Sequence, residues 1–329
     1  MADNTTAPLP PTGNQPPAIS KTRTFFRRLG SSIALWSFVL AALFLGELNI
    51  GGFNARPLSD ILFLIVMLAI AGLGLDEFYK LIEKAGYACF RGWGIVGGLL
   101  LMASTFLYVQ GSIITNRQPS KANDFETGIL IIFVLGLCFR QFMAKRGGSG
   151  LLRISTTLFG LMYVPWLLNF IQKLHFFPDT LGPHGDRIEI EGSFYVLYFI
   201  LVTKFSDLGA YVTGSLIGKH KMIPRISPNK TWEGFGGAIV ISALVSVGFY
   251  CLAKKHLYGM NLLHAIVLGV LLSTTAVVGD LIESIFKREA KVKDSGTWFP
   301  GIGGILDLMD SLLFNAPLMY LYLRHVLTA

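Results

Sequence analysis

The feature that most constrains this chain is the recurrence of apolar runs long enough to cross a lipid bilayer. A helix needs roughly 17 to 25 mostly apolar residues to span the hydrocarbon core. Such runs return along the whole 329-residue sequence, and only 15% of the residues are charged, against about 25% in an ordinary soluble protein. The sequence therefore predicts an all-α, polytopic protein that is integral to the cell inner or plasma membrane.

We predict about nine transmembrane helices behind a disordered tail. The predicted spans are approximately 31–48, 58–76, 93–111, 127–143, 153–172, 193–214, 235–253, 262–283 and 304–325. The tail, residues 1–25, begins with a stretch rich in Pro, Asn and Thr that cannot form a core. Residues 26–150 form the N-terminal transmembrane helices. Residues 151–329 form a C-terminal catalytic region, because polar residues within spans are denser there.

The distribution of Lys and Arg predicts the orientation. With the N-terminus in the cytoplasm, each inside segment carries three or four of these residues and each outside segment only one or two. Positive residues concentrate on the cytoplasmic side of membrane proteins, so the C-terminus is expected outside. The net charge of +8 then reflects orientation in the lipid bilayer, and we expect no nucleic-acid partner.

One connecting stretch, residues 279–311, combines acidic helix ends with a basic, glycine-rich loop. Asp307 and Asp310 lie three residues apart and share a helix face. Two carboxylates there repel each other and are costly to bury. A divalent cation removes both problems, and Mg²⁺ commonly binds one or two carboxylates together with substrate phosphates. The alternative is a pair of solvated acids at a helix N-terminus.

The helix before this loop carries a polar stripe. Ser284 and Lys287 follow Asp280 at i+4 and i+7, which places a carboxylate, a hydroxyl and an ammonium group on one face. Such a stripe suits a metal and a phosphate together. The alternative is a solvated helix end with an internal salt bridge.

The loop itself offers two kinds of anion-binding group. Its cations, Lys287, Arg288, Lys291 and Lys293, could neutralise a triphosphate. Its glycines allow backbone N–H groups to approach an anion at the start of the next helix; they are Gly301, Gly303 and Gly304. The alternative is a positive-inside loop that contacts lipid headgroups through ordinary turn glycines.

A second polar cluster precedes the seventh predicted span. Asp207 lies within an apolar span, three residues after Lys204, and an intramembrane carboxylate is a functional candidate. The alternative is a structural ion pair with Lys204. Lys230, at the turn into the seventh span, could bind a phosphate or could simply be a positive-inside lysine.

These residues together resemble the signature of the phosphatidate cytidylyltransferase, or CDP-diacylglycerol synthase, family, approximately S-x-x-K-R-x4-K-D-x-G-x3-P-G-H-G-G-x2-D-R-x-D. The positions that match in register are Ser284, Lys287, Arg288, Lys293, Asp294, Gly296, Pro300, Gly301, Gly303, Gly304, Asp307 and Asp310. The elements GDL-x-ES, D-x-G-AY and SP-x-KT-W-EG, upstream, are similar too, and the resemblance covers roughly residues 150–315. Two positions depart from the pattern: Ile302 replaces His, and Leu308 replaces Arg.

The resemblance implies a Mg²⁺-dependent reaction of CTP with phosphatidic acid at the cytoplasmic surface, giving CDP-diacylglycerol and pyrophosphate. The implied ligands of one or two cations are Asp207, Asp280, Asp307 and Asp310. The implied substrate-binding residues are Lys230, Ser284, Lys287, Arg288, Gly301, Gly303 and Gly304. Lys293 and Asp294 complete the catalytic set, with Asp294 orienting a lysine. A homodimer is compatible with the sequence.

Three alternatives stay open at this point. The first is a cytidylyltransferase for another isoprenoid or glycerol lipid phosphate. The second is a catalytically silent membrane scaffold, for which the departures at Ile302 and Leu308 are the evidence. The third is a transporter, which would need polar residues through the full thickness of the membrane, whereas here they cluster on one side.

Overall fold

The computed structural model describes residues 36–47, 55–111, 119–144, 150–181, 187–296 and 303–328. The all-α prediction is confirmed. A helix over residues 36–44 (α1) runs into a 3₁₀ turn at Leu45–Glu47. The following helices are α2 (Arg56–Lys84), α3 (Arg91–Val109), α4 (Pro119–Phe142), α5 (Gly150–Leu161), α6 (Leu167–His175), α7 (Gly192–Ile217), α8 (Trp232–Ala253), α9 (Leu262–Glu289) and α10 (Ile305–Tyr322).

Within the described ranges, seven helical segments are long and apolar enough to cross a membrane, so the chain is a multi-pass membrane protein. They are Arg56–Lys84, Arg91–Val109, Asp124–Phe142, Gly150–His175, Gly192–Ile217, Trp232–His256 and Leu262–Glu289. The other two predicted spans correspond to α1 and to α10. The helices α2 and α9 continue past the predicted ends at 76 and 283, because helical backbone extends beyond the apolar run into charged residues.

Helix α10 lies in the middle of the bundle, where it packs against α2, α6, α7 and α9. Leu306, Leu313 and Ala316 on its inner face are completely buried, at the spacing expected for one helix face. The first turns of this central helix carry Asp307 and Asp310, so the packing of α10 brings both carboxylates to the ends of α7 and α9.

Small residues let α7, α8 and α9 approach closely. A Cβ atom on Gly209 of α7 would lie 3.0 Å from the carbonyl oxygen of Gly237 in α8. A Cβ atom on Gly269 of α9 would lie 2.6 Å from the Cα atom of Ala243 in α8. Membrane helices commonly pack through such small residues, and these distances show that Gly209 and Gly269 serve helix packing.

The fifth predicted span is two helices joined by a π-helical turn. The turn covers Met162–Trp166 and contains Pro165. Proline has no N–H group to donate to the preceding turn, and a π turn is one way for a helix to continue past such a residue. As a result α5, the π turn and α6 form one continuous helical segment over Gly150–His175.

Two short antiparallel hairpins interrupt the helices. Strand β1 (Thr180–Leu181) pairs with β2 (Arg187–Ile188), and β3 (Lys221–Ile223) pairs with β4 (Ser227–Thr231). Thr231 ends β4 and caps α8, because its Oγ1 accepts a hydrogen bond from the N–H of Gly234 at 3.1 Å. The sequence predicted only a turn here; the β3–β4 hairpin holds Lys230 over the ends of α7 and α9.

Candidate functional site

A cavity of about 480 Å³ opens where α7 and α9 end and α8 and α10 begin. Its wall combines the β3–β4 hairpin with the polar faces of these helices. The predicted site residues that line it are Asp207, Lys230, Asp280, Lys287, Asp294, Asp307 and Asp310. The fold therefore gathers into one cavity residues that are up to a hundred positions apart in the sequence.

Three carboxylates converge on one point of this cavity. Asp280 and Glu283 of α9 and Asp310 of α10 each offer one oxygen atom, and these atoms all lie within 4.8 Å of one another. Glu283 is completely buried and Asp310 is 7% exposed. Buried carboxylates this close repel each other, and Oε1 of Glu283 has no hydrogen-bond partner among the described residues. The group fits a hard divalent cation with oxygen ligands, such as Mg²⁺.

Two lysines balance part of this negative charge. The Nζ atom of Lys230 lies 2.8 Å from Oδ2 of Asp280. The Nζ atom of Lys287 lies 2.6 Å from Oε2 of Glu283 and 2.9 Å from Oδ1 of Asp307. Both ammonium groups are held at the cavity wall by carboxylates and are therefore oriented before any ligand arrives.

The polar stripe predicted on α9 is present. The hydroxyl of Ser284 lies 3.4 Å from Oδ1 of Asp280, so the two side chains share a face as their spacing predicted. Glu283, one position round the helix, is the carboxylate that the sequence analysis left out of the candidate ligands. The signal for it was present, because Glu283 is itself the glutamate of the GDL-x-ES element.

Asp307 has different neighbours from those we predicted. Its Oδ2 accepts hydrogen bonds from the N–H groups of Gly304 at 2.7 Å and Ser295 at 3.2 Å. An acid at the third position of a helix can reach back to the N–H groups of its first turn. The converging group thus contains Glu283 in place of Asp307. The N–H of Gly304, which we expected to face a ligand anion, donates to this carboxylate instead.

Asp207 joins α7 to α10. Its Oδ2 lies 3.4 Å from the hydroxyl of Ser311 and 3.6 Å from Nζ of Lys204. Lys204 also donates to the backbone carbonyl of Leu308 at 2.8 Å. The ion pair that we considered as the alternative for Asp207 is therefore present, and Asp207 forms the cavity wall next to the converging group.

The remaining predicted residues lie around the rim. Arg288 donates from Nε to the carbonyl of Ile226 at 3.0 Å and so fastens the β3–β4 hairpin to α9. Lys293 and Asp294 are exposed, and neither forms a salt bridge with another described residue; the orienting role of Asp294 stays a prediction. Gly303 has a φ of 117°, a conformation that glycine adopts readily. Gly301 and Ile302 lie outside the described residues.

Glu77 of α2 is a contributor from the first half of the chain that the sequence analysis did not place in the site. It is 1% exposed, and its Oε2 accepts hydrogen bonds from Oγ of Ser295 at 3.2 Å and from the N–H of Leu306 at 2.8 Å. Cβ atoms on Gly296 and Gly304 would lie 2.0 and 2.5 Å from its carboxylate oxygens. In the sequence Glu77 lies one residue beyond the predicted span 58–76, between Asp76 and Lys80, so its charge did not single it out.

The same residues can be compared with known proteins. The model of the cytidylyltransferase family matches residues 27–326. This chain belongs to that family. The match includes the helices, the β3–β4 hairpin and all the carboxylates and lysines described above, and the resemblance inferred from the sequence is confirmed.

Several curated relatives of this cytidylyltransferase-family protein carry the name phosphatidate cytidylyltransferase. The one from Staphylococcus epidermidis is 46% identical over 133 residues, which is 40% of this chain and 50% of the relative. The one from Staphylococcus aureus is 47% identical over 135 residues, again 40% and 50%. The one from Staphylococcus haemolyticus is 44% identical over 133 residues, with the same coverage. The matched part of the chain thus spans about half the length of these relatives.

Proposed function

We propose that this protein is a Mg²⁺-dependent phosphatidate cytidylyltransferase, which transfers CMP from CTP to phosphatidic acid and releases CDP-diacylglycerol and pyrophosphate. The observation that carries the proposal is the convergence of Asp280, Glu283 and Asp310 in one cavity with Lys230 and Lys287. Carboxylates and ammonium groups at one point suit a cation and a polyphosphate together. The names of the relatives support the same substrates.

For this reaction the protein mainly has to position the two substrates and neutralise the charge of their phosphates. An oxygen atom of the lipid phosphate attacks the α-phosphorus of CTP, and a new P–O bond forms. The bond from the α-phosphorus to the oxygen that bridges to the β-phosphorus breaks, and pyrophosphate leaves with that electron pair. The lipid phosphate is already an anion, so no general base is required. Phosphoryl-type transfers of this kind depend mostly on positioning and electrostatic stabilisation.

Asp280, Glu283 and Asp310 are the residues that would hold Mg²⁺. When bound, the ion would neutralise charge on the CTP phosphates and orient them. Asp307 keeps Lys287 in place through their 2.9 Å ion pair, and Asp207 supports the wall next to the ligand group. We therefore assign positioning roles to Asp307 and Asp207.

The lysines would bind the substrate phosphates. Lys230 reaches the cavity from β4 and Lys287 from α9, so they approach from different elements. Both are already held by carboxylates, which reduces the entropy lost when they bind a ligand. Arg288 and Lys293 add positive charge at the rim, where CTP would arrive from the cytoplasm. The acyl chains of the lipid would stay within the bilayer.

The test is an assay of the purified protein in mixed micelles with radiolabelled CTP, phosphatidic acid and Mg²⁺. We expect labelled CDP-diacylglycerol and pyrophosphate in equal amounts, and no product when EDTA removes the cation. Parallel reactions with an isoprenoid phosphate and with ATP in place of CTP test the specificity. Faster turnover of the isoprenoid phosphate would identify a different lipid substrate. An absence of Mg²⁺-dependent CTP consumption with every lipid would contradict the enzymatic assignment.

A further inference from the structure

A second cavity, of about 320 Å³, lies inside the bundle between α1, α2, α6, α7 and α10. Among its described lining residues every side chain is apolar or aromatic except that of Lys204. Each of four helices contributes lining side chains, for example Trp36 of α1, Met67 of α2, Ile200 of α7 and Leu308 of α10. The mechanism proposed above does not use this space.

Lys204 connects the apolar cavity to the carboxylate cavity. Its Nζ donates to the carbonyl of Leu308 at 2.8 Å and lies 3.6 Å from Oδ2 of Asp207. Asp207 lines the carboxylate cavity, whereas Lys204 and Leu308 line the apolar one. Lys204, the one cation among the described residues that line the apolar cavity, thus lies at the boundary with the carboxylate cavity.

The ammonium group of Lys204 keeps capacity for one more partner. Lysine has three N–H donors; in the described contacts one donates to Leu308, and the Asp207 carboxylate lies at ion-pair distance. The ion pair with Asp207, at 3.6 Å, is longer than those of Lys230 at 2.8 Å and Lys287 at 2.6 Å. A cation within the membrane is costly unless an anion offsets it. An amphipathic ligand with an anionic end and an apolar tail fits both the charge and the shape.

We propose that the apolar cavity holds one acyl chain of an anionic phospholipid, whose phosphate lies between Lys204 and the carboxylate cavity. This inference rests on the proposed function, because it identifies the lipid with the phosphate acceptor of that reaction. The lipid would then be selected by its phosphate at Lys204 and by the length of one chain. Leu308 contributes an apolar side chain to this space and a carbonyl that holds Lys204.

The first test fills the cavity. Ile200→Trp adds a bulky side chain at the cavity wall, and Ile65→Trp makes the same kind of change on α2, where Ile65 is 54% exposed on the outer face. For dioleoyl phosphatidic acid we expect the KM of Ile200→Trp to rise about tenfold. Its KM for CTP and its kcat/KM for dihexanoyl phosphatidic acid should stay within about twofold of the parent. Equal KM changes for the long and short lipids would overturn the proposal.

The second test measures binding without turnover. Trp36 lines the cavity, so bromine atoms on an acyl chain within it should quench Trp36 fluorescence. The protein is placed in phosphatidylcholine nanodiscs that contain a few mole per cent of brominated phosphatidic acid or, as the control, brominated phosphatidylcholine. The quenching of Trp36 itself is obtained by subtracting the signal of the Trp36→Phe variant from that of the parent protein. We expect stronger quenching by phosphatidic acid, and loss of this preference in Lys204→Met.

The two results separate this inference from the proposed function. Equal quenching by both lipids, or no quenching of Trp36, would overturn the acyl-chain site even in an active enzyme. Selective quenching in a protein that consumes no CTP would support the lipid site and contradict only the enzymatic assignment.

Discussion

The carboxylate of Glu77 accepts a hydrogen bond from the backbone N–H of Leu306, with 2.8 Å between Oε2 and the nitrogen atom. The two residues are 229 positions apart in the sequence. Leu306 belongs to the first turn of α10, immediately before Asp307, so a side chain of α2 fixes the start of the helix that carries Asp310. The N-terminal helices therefore take part in building the site.

We expect Glu77→Ala to destabilise the start of α10 and the segment around Ser295. Each buried donor left without a partner costs about 1–3 kcal/mol, and Ser295 and Leu306 both lose their acceptor. The melting temperature in detergent should fall, and amide hydrogen exchange should accelerate at Ser295 and Leu306, the two residues that lose their acceptor. Glu77→Gln keeps one acceptor oxygen and should recover part of the loss. Glu289→Ala, at the same end of the bundle, is the matched control; unchanged exchange at Leu306 in Glu77→Ala would contradict the contact.

Asp310→Asn should remove Mg²⁺ binding without destabilising the fold. It removes one of three mutually repelling carboxylates, two of which are buried, so the melting temperature measured in EDTA should stay constant or rise. The increase in melting temperature on adding Mg²⁺ should disappear, since bound ligand stabilises the folded state. Turnover should fall by more than about 100-fold, because even the outer-shell partners of a metal commonly account for 10–100-fold. A variant that keeps its Mg²⁺-induced shift would show that the cation binds elsewhere.

Asp307→Asn should behave differently, although it lies only three residues away. Asp307 accepts from the N–H of Gly304 and pairs with Lys287, and loss of a helix-capping group costs about 1 kcal/mol. The melting temperature in EDTA should therefore fall, while the shift on adding Mg²⁺ is retained. Identical responses of Asp307→Asn and Asp310→Asn would mean that both carboxylates bind the cation directly.

A pair of glycine substitutions tests the close packing of α8 and α9. Gly269→Ala places a Cβ atom 2.6 Å from the Cα atom of Ala243, whereas a Cβ atom at Gly248 meets no other group within 4 Å. We expect Gly269→Ala to lower the melting temperature. Gly248→Ala should be neutral or stabilising by up to about 1 kcal/mol, because alanine favours helix more than glycine. Equal effects of the two changes would show that helix propensity, and not packing, governs both positions.

The reactivity of Cys89 gives a pH-dependent prediction. Burial raises the pKa of the Cys89 thiol to about 11, and the negative charge of Glu83 adds to the effect. An ordinary thiol has a pKa near 8.5, so at pH 8 Cys89 holds about 200-fold less thiolate than an ordinary cysteine. With Cys138 and Cys251 replaced by serine, alkylation by iodoacetamide should be slow at pH 8 and should still increase above pH 10. Glu83→Gln should move the profile to lower pH; a plateau near pH 9 would contradict the raised pKa.

Cysteine labelling tests which side of the membrane the cavity faces. Lys291 lies after α9, next to the carboxylate cavity, and Lys255 lies before α9 at the opposite end; both are exposed. In a background without native cysteines, a membrane-impermeant maleimide added to right-side-out vesicles should label Lys255→Cys and not Lys291→Cys. Inverted vesicles should reverse the pattern. Labelling of Lys291→Cys from outside would reverse our proposed orientation.

The sequence predicted the helices well because apolar runs of membrane length have few alternative structures. It was less informative at the helix ends, where α2 and α9 continue beyond the apolar run. The π turn around Pro165 and the β3–β4 hairpin were not predicted. Local hydrogen bonds, which a hydropathy pattern does not record, decide such features.

In the candidate site, too, the sequence predicted some residue relationships and missed those that depend on local hydrogen bonds or on packing between distant helices. Spacing within α9 predicted correctly that Asp280 and Ser284 share a face. Spacing on α10 predicted that Asp307 and Asp310 act together, but a shared face does not show which carboxylate is already engaged by backbone N–H groups. Glu77 was the hardest to place, because its partners lie in the last part of the chain and depend on how α2 packs against α10.

The attachment of the β3–β4 hairpin has a consequence for how the cavity fills. Lys230 of the hairpin forms an ion pair with Asp280 of α9, and Arg288 of α9 donates to the carbonyl of Ile226 in the hairpin turn. A polyanion competes for Lys230 and a cation competes for Asp280, so either one weakens the first tether, whereas the second involves a neutral carbonyl and persists. We therefore expect ligand binding to exchange the partner of Lys230, from the Asp280 carboxylate to a substrate phosphate, while Arg288 keeps the hairpin attached to α9.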